Sequence, residues 1–105
     1  RVYSVHGGEN DGPVWIHQNV VENLDRAFVW KNRGRSLGVQ VFNNTVYCAN
    51  AGDRAAAVVD AFHDAKNPIG GWVVRNNVFV APADQPRKLF QERNDAGKQM
   101  TFGGN

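Results

Sequence analysis

The stretch at residues 39–47 reads Val-Gln-Val-Phe-Asn-Asn-Thr-Val-Tyr, two alternating segments on either side of an asparagine pair. Alternation of apolar and polar residues is typical of a strand with one buried face. The stretch recurs at residues 71–80, and a weaker copy lies at residues 13–21. Three copies in so short a chain indicate an internal repeat.

The second asparagine of each copy measures the length of the repeat. Asn19, Asn44 and Asn77 are separated by 44 − 19 = 25 and 77 − 44 = 33 residues. A period of twenty-odd residues with three short strands is typical of one coil of a parallel β-solenoid. The chain is therefore predicted to be all-β, with about three coils whose equivalent strands pair in parallel.

Residues 1–105 are interpreted as one segment of this solenoid, with coils at about 2–24, 25–55 and 56–82. Residues 83–105 are expected to begin a further coil or to form an irregular tail. The longer second interval indicates an insertion, which we place at residues 49–57. The chain begins with Arg1 and ends with Gly-Gly-Asn. We expect it to be a fragment of a longer protein, with further coils of that protein stacked on it.

The asparagines are predicted to have two different roles at the corners between strands. Asn43 and Asn76 are expected to form the bend, because asparagine tolerates a left-handed backbone conformation. Asn19, Asn44 and Asn77 are expected to stack at the strand spacing of about 4.8 Å. Side-chain amides at that spacing can hydrogen-bond each to the next as a ladder.

Two other folds remain open from the sequence. Each asparagine pair could be the turn of an antiparallel hairpin, although such turns favour Asn-Gly. The alanine-rich residues 54–65 could form a helix in a small α+β domain. We predict a strand near residues 58–62 instead, because the repeat requires one there.

Alternation also predicts the core and assigns the tryptophans to it; the alternative is that they stack on sugars. The inward residues are expected to be Trp15 (or Val14), Ile16, Val21, Phe28, Trp30, Val39, Val41, Val46, Trp72, Val74 and Phe79.

Composition excludes some classes of function. The net charge of +2 comes from 12 basic and 10 acidic residues that form no basic stripe, so no nucleic-acid partner is expected. No apolar run approaches the roughly 18 residues that a membrane-spanning helix needs. Cys48 is the single cysteine, so no internal disulfide forms, and we expect it to be a small apolar residue.

The Asn-Asn-x-Val corners and the three short-strand units within residues 2–81 resemble the right-handed parallel β-helix repeats of the pectate-lyase-like (pectin lyase fold) superfamily. The resemblance implies an extracellular or periplasmic, secreted protein that binds or cleaves an acidic polysaccharide, as a lyase or a hydrolase. It also implies Ca²⁺ as a cofactor, but the residues themselves offer no aspartate cluster suited to that ion. The alternative is a non-catalytic β-helix scaffold or adhesin module, and the resemblance does not decide whether the chain is an enzyme.

In enzymes of this type the groove follows one sheet, which suggests candidates on the strand before each asparagine bend. His6 and Lys31 each lie thirteen residues before their ladder asparagine (19 − 6 and 44 − 31), so we expect them to stack and to point outward. The catalytic candidates are His6, Lys31, Asp60, His63 and Asp64. Lys31, Arg33 and Arg35 are candidates for binding the anionic substrate, and no metal ligands are assigned. The competing interpretation is that all of these are ordinary solvated surface residues.

Overall fold

The fold is all-β in the part of the chain that the structure, a computed structural model, describes: residues 3–5, 12–50, 57–93 and 96–105. Short strands and one 3₁₀ turn, Ala96–Gln99, form its regular elements. The strands are β1 Tyr3–Val5, β2 Val14–His17, β3 Val20–Leu24, β4 Val29–Lys31, β5 Ser36–Leu37, β6 Val39–Phe42, β7 Thr45–Cys48, β8 Val59–Phe62, β9 Ile69–Gly70, β10 Trp72–Arg75, β11 Val78–Val80, β12 Phe90–Arg93 and β13 Met100–Gly103.

The strands form parallel sheets in which consecutive strands of the chain belong to different sheets. The first sheet has the order β1-β4-β8-β12, the second β2-β6-β10-β13 and the third β3-β7-β11, while β5 pairs with β9. Every one of these pairings is parallel. The hairpin alternative is wrong, because Asn43 and Asn44 connect β6 to β7, which lie in different sheets.

Neighbouring strands within a sheet are separated by roughly one repeat of the sequence. In the second sheet Ile16 pairs with Val41, Val41 with Val74, and Val74 with Phe102, at separations of 25, 33 and 28 residues (41 − 16, 74 − 41 and 102 − 74). Because β12 and β13 pair with β8 and β10, residues 90–103 extend two of the sheets. The final residues therefore add a fourth strand to each of these two sheets.

The predicted strand near residues 58–62 is confirmed as β8. The helix alternative for residues 54–65 is wrong over Ala57–Ala65, and the α+β domain that depended on it is wrong as well. Most of the insertion placed at residues 49–57 lies outside the described residues.

The core consists of inward residues from the three larger sheets. Val39, Val41, Val46, Val74 and Trp72 are buried as predicted. Each side chain of this kind contributes about 1.5–3 kcal/mol when it is removed from water. Ile16 and Phe28 are buried too, while Val21 and Phe79 pack against this core from partly buried positions.

Two of the three predicted core tryptophans are not in the core. Val14 and Ile16 take the inward positions of β2, so alternation turns Trp15 outward, where 63% of it is exposed. Trp30 is half-buried. It pairs with Ser4 in β1 and with Asp60 in β8, one position after the buried pair Val29 and Val59.

The position of Trp30 follows from a break in alternation just before β4. The main-chain N–H groups of Phe28 and Val29 both donate to the carbonyl of Val58, at 2.8 and 3.1 Å. Both side chains are therefore buried in succession, and the alternation that follows is shifted by one residue. Trp30 consequently faces away from the core, and Lys31 faces into it.

The corners have the backbone conformation that the asparagines were expected to supply. Gln18, Asn43, Asn76 and Gly104 have φ angles of 55°, 57°, 53° and 66°, and each precedes one asparagine of the row described next. At Gly104 a Cβ atom would lie 2.5 Å from Oδ1 of Asn76. A larger residue at this position would therefore require the side chain of Asn76 to move, which glycine avoids.

A continuous hydrogen-bonded row joins Asn19, Asn44, Asn77 and Asn105, which we call the asparagine row. Oδ1 of Asn44 accepts from the main-chain N–H and the Nδ2 of Asn19, at 3.1 and 2.9 Å. Asn77 binds Asn44 in the same way at 3.0 and 2.9 Å, and Asn105 binds Asn77 at 3.1 and 2.9 Å.

The row also satisfies main-chain carbonyls at the corner. Nδ2 of Asn44 donates to Ile16 at 2.8 Å, and Nδ2 of Asn77 donates to Val41 at 3.0 Å. Asn44 and Asn77 are both buried, so these carbonyls lie where a missing donor is costly.

We predict that Asn44→Ala lowers the free energy of unfolding by about 3 kcal/mol or more, because each buried polar group left without a partner costs about 1–3 kcal/mol. Urea denaturation followed by tryptophan fluorescence measures this change. Asn19→Ala is the matched control, since Asn19 is the exposed end of the row, and it should cost no more than about 1 kcal/mol. Equal losses in the two variants would show that the buried part of the row does not carry the stability.

Candidate functional site

Lys31 is buried, which corrects the prediction that it points outward. The shift at Phe28 and Val29 directs it inward, and its partner in β1 is Val5. The predicted neighbour at this position was His6. His6 itself lies outside the described residues.

The ammonium group of Lys31 binds the loop that follows β8. Nζ donates to the carbonyl of Phe62 at 2.7 Å and also to the carbonyl of Asn67. It lies 5.9 Å from the centroid of the Phe62 ring, which adds a cation–π contact. Lys31 thus connects the end of β4 to residues 62–67 of the next repeat.

His63 and Asp64 are occupied in holding that same loop. Nδ1 of His63 accepts from the main-chain N–H of Ile69 at 2.9 Å. Oδ1 of Asp64 accepts from the main-chain N–H groups of Lys66 and Asn67 at 2.9 and 2.7 Å, and from Nδ2 of Asn67 at 2.9 Å. The side-chain hydrogen bond from Asn67 is the main cause that lowers the pKa of Asp64, and the charge of Lys31 adds to it.

The remaining candidates do not join Lys31 on one surface. Asp60 lies on the face of β8 opposite the buried Val59 and Ala61, as predicted, and pairs with Trp30 and Gln91. Arg33 is exposed and Arg35 is half-buried. The structure therefore brings Lys31, His63 and Asp64 to one loop.

We predict that Lys31→Ala lowers the free energy of unfolding by about 2–4 kcal/mol, because two carbonyls lose a donor and the aliphatic stem leaves a cavity. Chemical denaturation measures the loss. Arg33→Ala, which removes an exposed cation from the adjoining turn, should stay within about 0.5 kcal/mol of the parent protein. If Lys31→Ala were as stable as Arg33→Ala, the hydrogen bonds of Lys31 would not stabilise the fold.

A different surface has the geometry of a binding site: the outer face of the second sheet, which we call the aromatic face. Its outward residues are Trp15, His17, Gln40, Phe42, Val73, Arg75 and Thr101. The His17 and Phe42 rings are stacked with centroids 4.9 Å apart and planes 4° from parallel. On the other side, Cζ of Arg75 lies 5.4 Å from the centroid of Phe42.

Register explains this arrangement. His17, Phe42 and Arg75 occupy paired positions on β2, β6 and β10, so strand spacing alone places their flat groups side by side. Trp15 pairs with Gln40 in the next outward row. The face therefore presents exposed aromatic surface, an amide and a guanidinium group within a small area.

Sequence reasoning missed this face because it left open whether Trp15 or Val14 is the inward residue of β2. The signal was present, since Val14 and Ile16 are both apolar and taking them as inward leaves Trp15 and His17 outward.

Metal ligands are not gathered in the described ranges: no three His, Cys, Asp or Glu side chains there are placed to hold an ion. The Ca²⁺ that the superfamily resemblance implies thus finds no ligand set in that part of the chain.

Cys48 is half-buried, and burial raises the pKa of its thiol, although Arg87 lowers it in part. The described residues also contain no helix long and apolar enough to cross a membrane.

Compared with known proteins, the chain matches no family model, no curated protein and no solved structure.

Proposed function

We propose that this chain is a segment of a right-handed parallel β-helix of the pectate-lyase-like type, and that it binds an acidic polysaccharide on its aromatic face. Parallel pairing between residues 25 to 33 positions apart supports the β-helix, as do the left-handed corners. Right-handedness is proposed because crossover connections between parallel strands of one sheet are almost always right-handed.

The observation that carries the binding proposal is the stack of His17, Phe42 and Arg75. Aromatic surfaces offer flat apolar area against which the apolar face of a sugar ring can pack. A guanidinium group is suited to a carboxylate, because its N–H groups can form two parallel hydrogen bonds with the two oxygens. Because both faces of Phe42 are covered by its neighbours, a uronic acid unit would pack on the outward edges of the stacked rings, with its carboxylate on Arg75.

The charge of the surrounding sheet agrees with an anionic ligand. The strands β2, β6, β10 and β13 contain no aspartate or glutamate, so no acidic residue of these strands opposes a polymer carboxylate. Trp15 lies one row away from the stack and is exposed, so a second sugar unit of an extended polymer could pack on it. We propose in addition that the protein is extracellular or periplasmic, because acidic polysaccharides are found there.

Binding is proposed rather than cleavage because three of the five candidate catalytic groups hold the fold together. Lys31 is buried against two carbonyls, His63 accepts a main-chain N–H, and Asp64 holds a turn. A general base must reach the proton that it removes from the substrate. These same contacts favour the second candidate function, a non-catalytic scaffold in which the solenoid provides length and rigidity.

We predict that the protein binds polygalacturonate or alginate, and that Arg75→Ala weakens this binding about tenfold or more, since a hydrogen bond to a charged group contributes about 1.5–3 kcal/mol. Titration calorimetry at low and high salt measures the effect, and added salt should weaken binding. Trp15→Ala should also weaken it. Arg33→Ala is the matched control, because it removes an exposed arginine elsewhere and leaves the aromatic face intact.

The same titration with a neutral polysaccharide distinguishes the possible results. Equal affinity for acidic and neutral polymers would show that Arg75 does not select the ligand by its charge. No binding to any polymer would favour the scaffold. New absorbance from unsaturated uronates during incubation would instead show that the protein cleaves its ligand as a lyase.

A further inference from the structure

One nucleophile has no role in the proposed binding function: the buried primary amine of Lys31. Nζ is held against Asn67 by a hydrogen bond to its main-chain oxygen, and a second hydrogen bond to Phe62 keeps it in place at 2.7 Å. The Phe62 ring lies 5.9 Å from Nζ. The amine is therefore buried, and its hydrogen bonds hold it next to Asn67.

The side chain of Asn67 is polarised at both ends of its carboxamide. Oδ1 accepts from the main-chain N–H of Gly34 at 2.9 Å, and Nδ2 donates to Oδ1 of Asp64 at 2.9 Å. A fixed N–H group at the oxygen stabilises the negative charge that develops there when a nucleophile attacks the carbonyl carbon. A carboxylate at the nitrogen can take a proton from the ammonium group of Lys31 and pass it to the nitrogen that leaves.

We propose that Lys31 and Asn67 form an intramolecular isopeptide bond, with Asp64 transferring the protons. Nζ of Lys31 forms a bond to Cγ of Asn67, and the bond between Cγ and Nδ2 breaks. The two protons that the ammonium group gives up pass by way of Asp64 to the departing nitrogen, which leaves as an ammonium ion. Charge is conserved, and the reaction needs no oxidant, cofactor or metal.

Asn67, rather than Asp64, is the carbonyl that reacts. The hydrogen bonds from Asn67 and the charge of Lys31 keep the pKa of Asp64 low, so Asp64 carries a negative charge, and a carboxylate anion resists nucleophilic attack. Nζ already touches the main-chain oxygen of Asn67. In the proposal the side chain of Lys31 rotates to reach Cγ, while Asn67 keeps its hydrogen bonds to Gly34 and Asp64.

The bond would join the end of β4 to the loop after β8, and thus two successive repeats of the solenoid. Such a cross-link would resist the separation of neighbouring strands at this position.

The test is the mass of the intact, purified chain under denaturing conditions. The expected mass is lower than that of the sequence by one molecule of ammonia, and protease digestion should yield a branched peptide joining Lys31 to Asn67. A mass equal to that of the sequence would overturn the proposal. A loss of water with a branch at Asp64 would overturn it as well, because Asp64 would then be the electrophile.

Three variants distinguish formation of this bond from other reactions that release ammonia, such as cyclisation of an asparagine with its own backbone. Lys31→Arg keeps a cation but lacks a primary amine, and Asn67→Ala lacks the carboxamide, so both should have their full sequence masses. Asp64→Ala should form the bond about 100-fold more slowly, in keeping with the loss of a proton-transfer group. A loss of ammonia that persists in Lys31→Arg would contradict the proposal. The measurement on the parent protein decides the question even if a variant fails to fold.

Discussion

The hydrogen bonds of the asparagine row are the interaction on which the rest of this structure depends. A chain that turns sharply between strands leaves main-chain groups at the corner that no sheet can satisfy. Here each side-chain carboxamide accepts from the asparagine of the preceding repeat and donates to a carbonyl of that repeat's strand. The corner is thus satisfied only when repeats are stacked. Stacking in turn fixes the parallel register of the second and third sheets, which lie on either side of the corner.

A second constraint arises where alternation breaks before β4. Two successive buried residues, Phe28 and Val29, shift all the following side chains of that strand to the other face. One result is a lysine inside the molecule. Its charge is accommodated by two carbonyls and an aromatic ring, since burying an unpaired ammonium would cost several kcal/mol. Another result is that Trp30 lies beside Asp60 rather than in the core.

Because of these two constraints, the residues that hold the fold together differ from those proposed to bind a ligand. The loop around Asn67 collects a lysine, a histidine and an aspartate, but their polar atoms are directed at main-chain groups and at one another. The aromatic face has the opposite character, because its rings and guanidinium group stack by strand register and remain open on the outer side of the sheet. The proposed polysaccharide site and the proposed cross-link therefore lie on different parts of the molecule and can be tested independently.

The sequence by itself determined the all-β class, the parallel repeat, the strand at β8, the valine core and the separate roles of Asn43 and Asn44. These features follow from local pattern, because alternation and the left-handed tolerance of asparagine are properties of neighbouring residues. Only the tertiary structure decided the orientation of Lys31 and Trp15 and the place of Asn105 as the fourth member of the row. A shift of one residue reverses every side chain of a strand, and that shift depends on which distant carbonyl accepts the hydrogen bond. The carbonyl of Val58, thirty residues from Phe28 (58 − 28), is not identified by the sequence around β4.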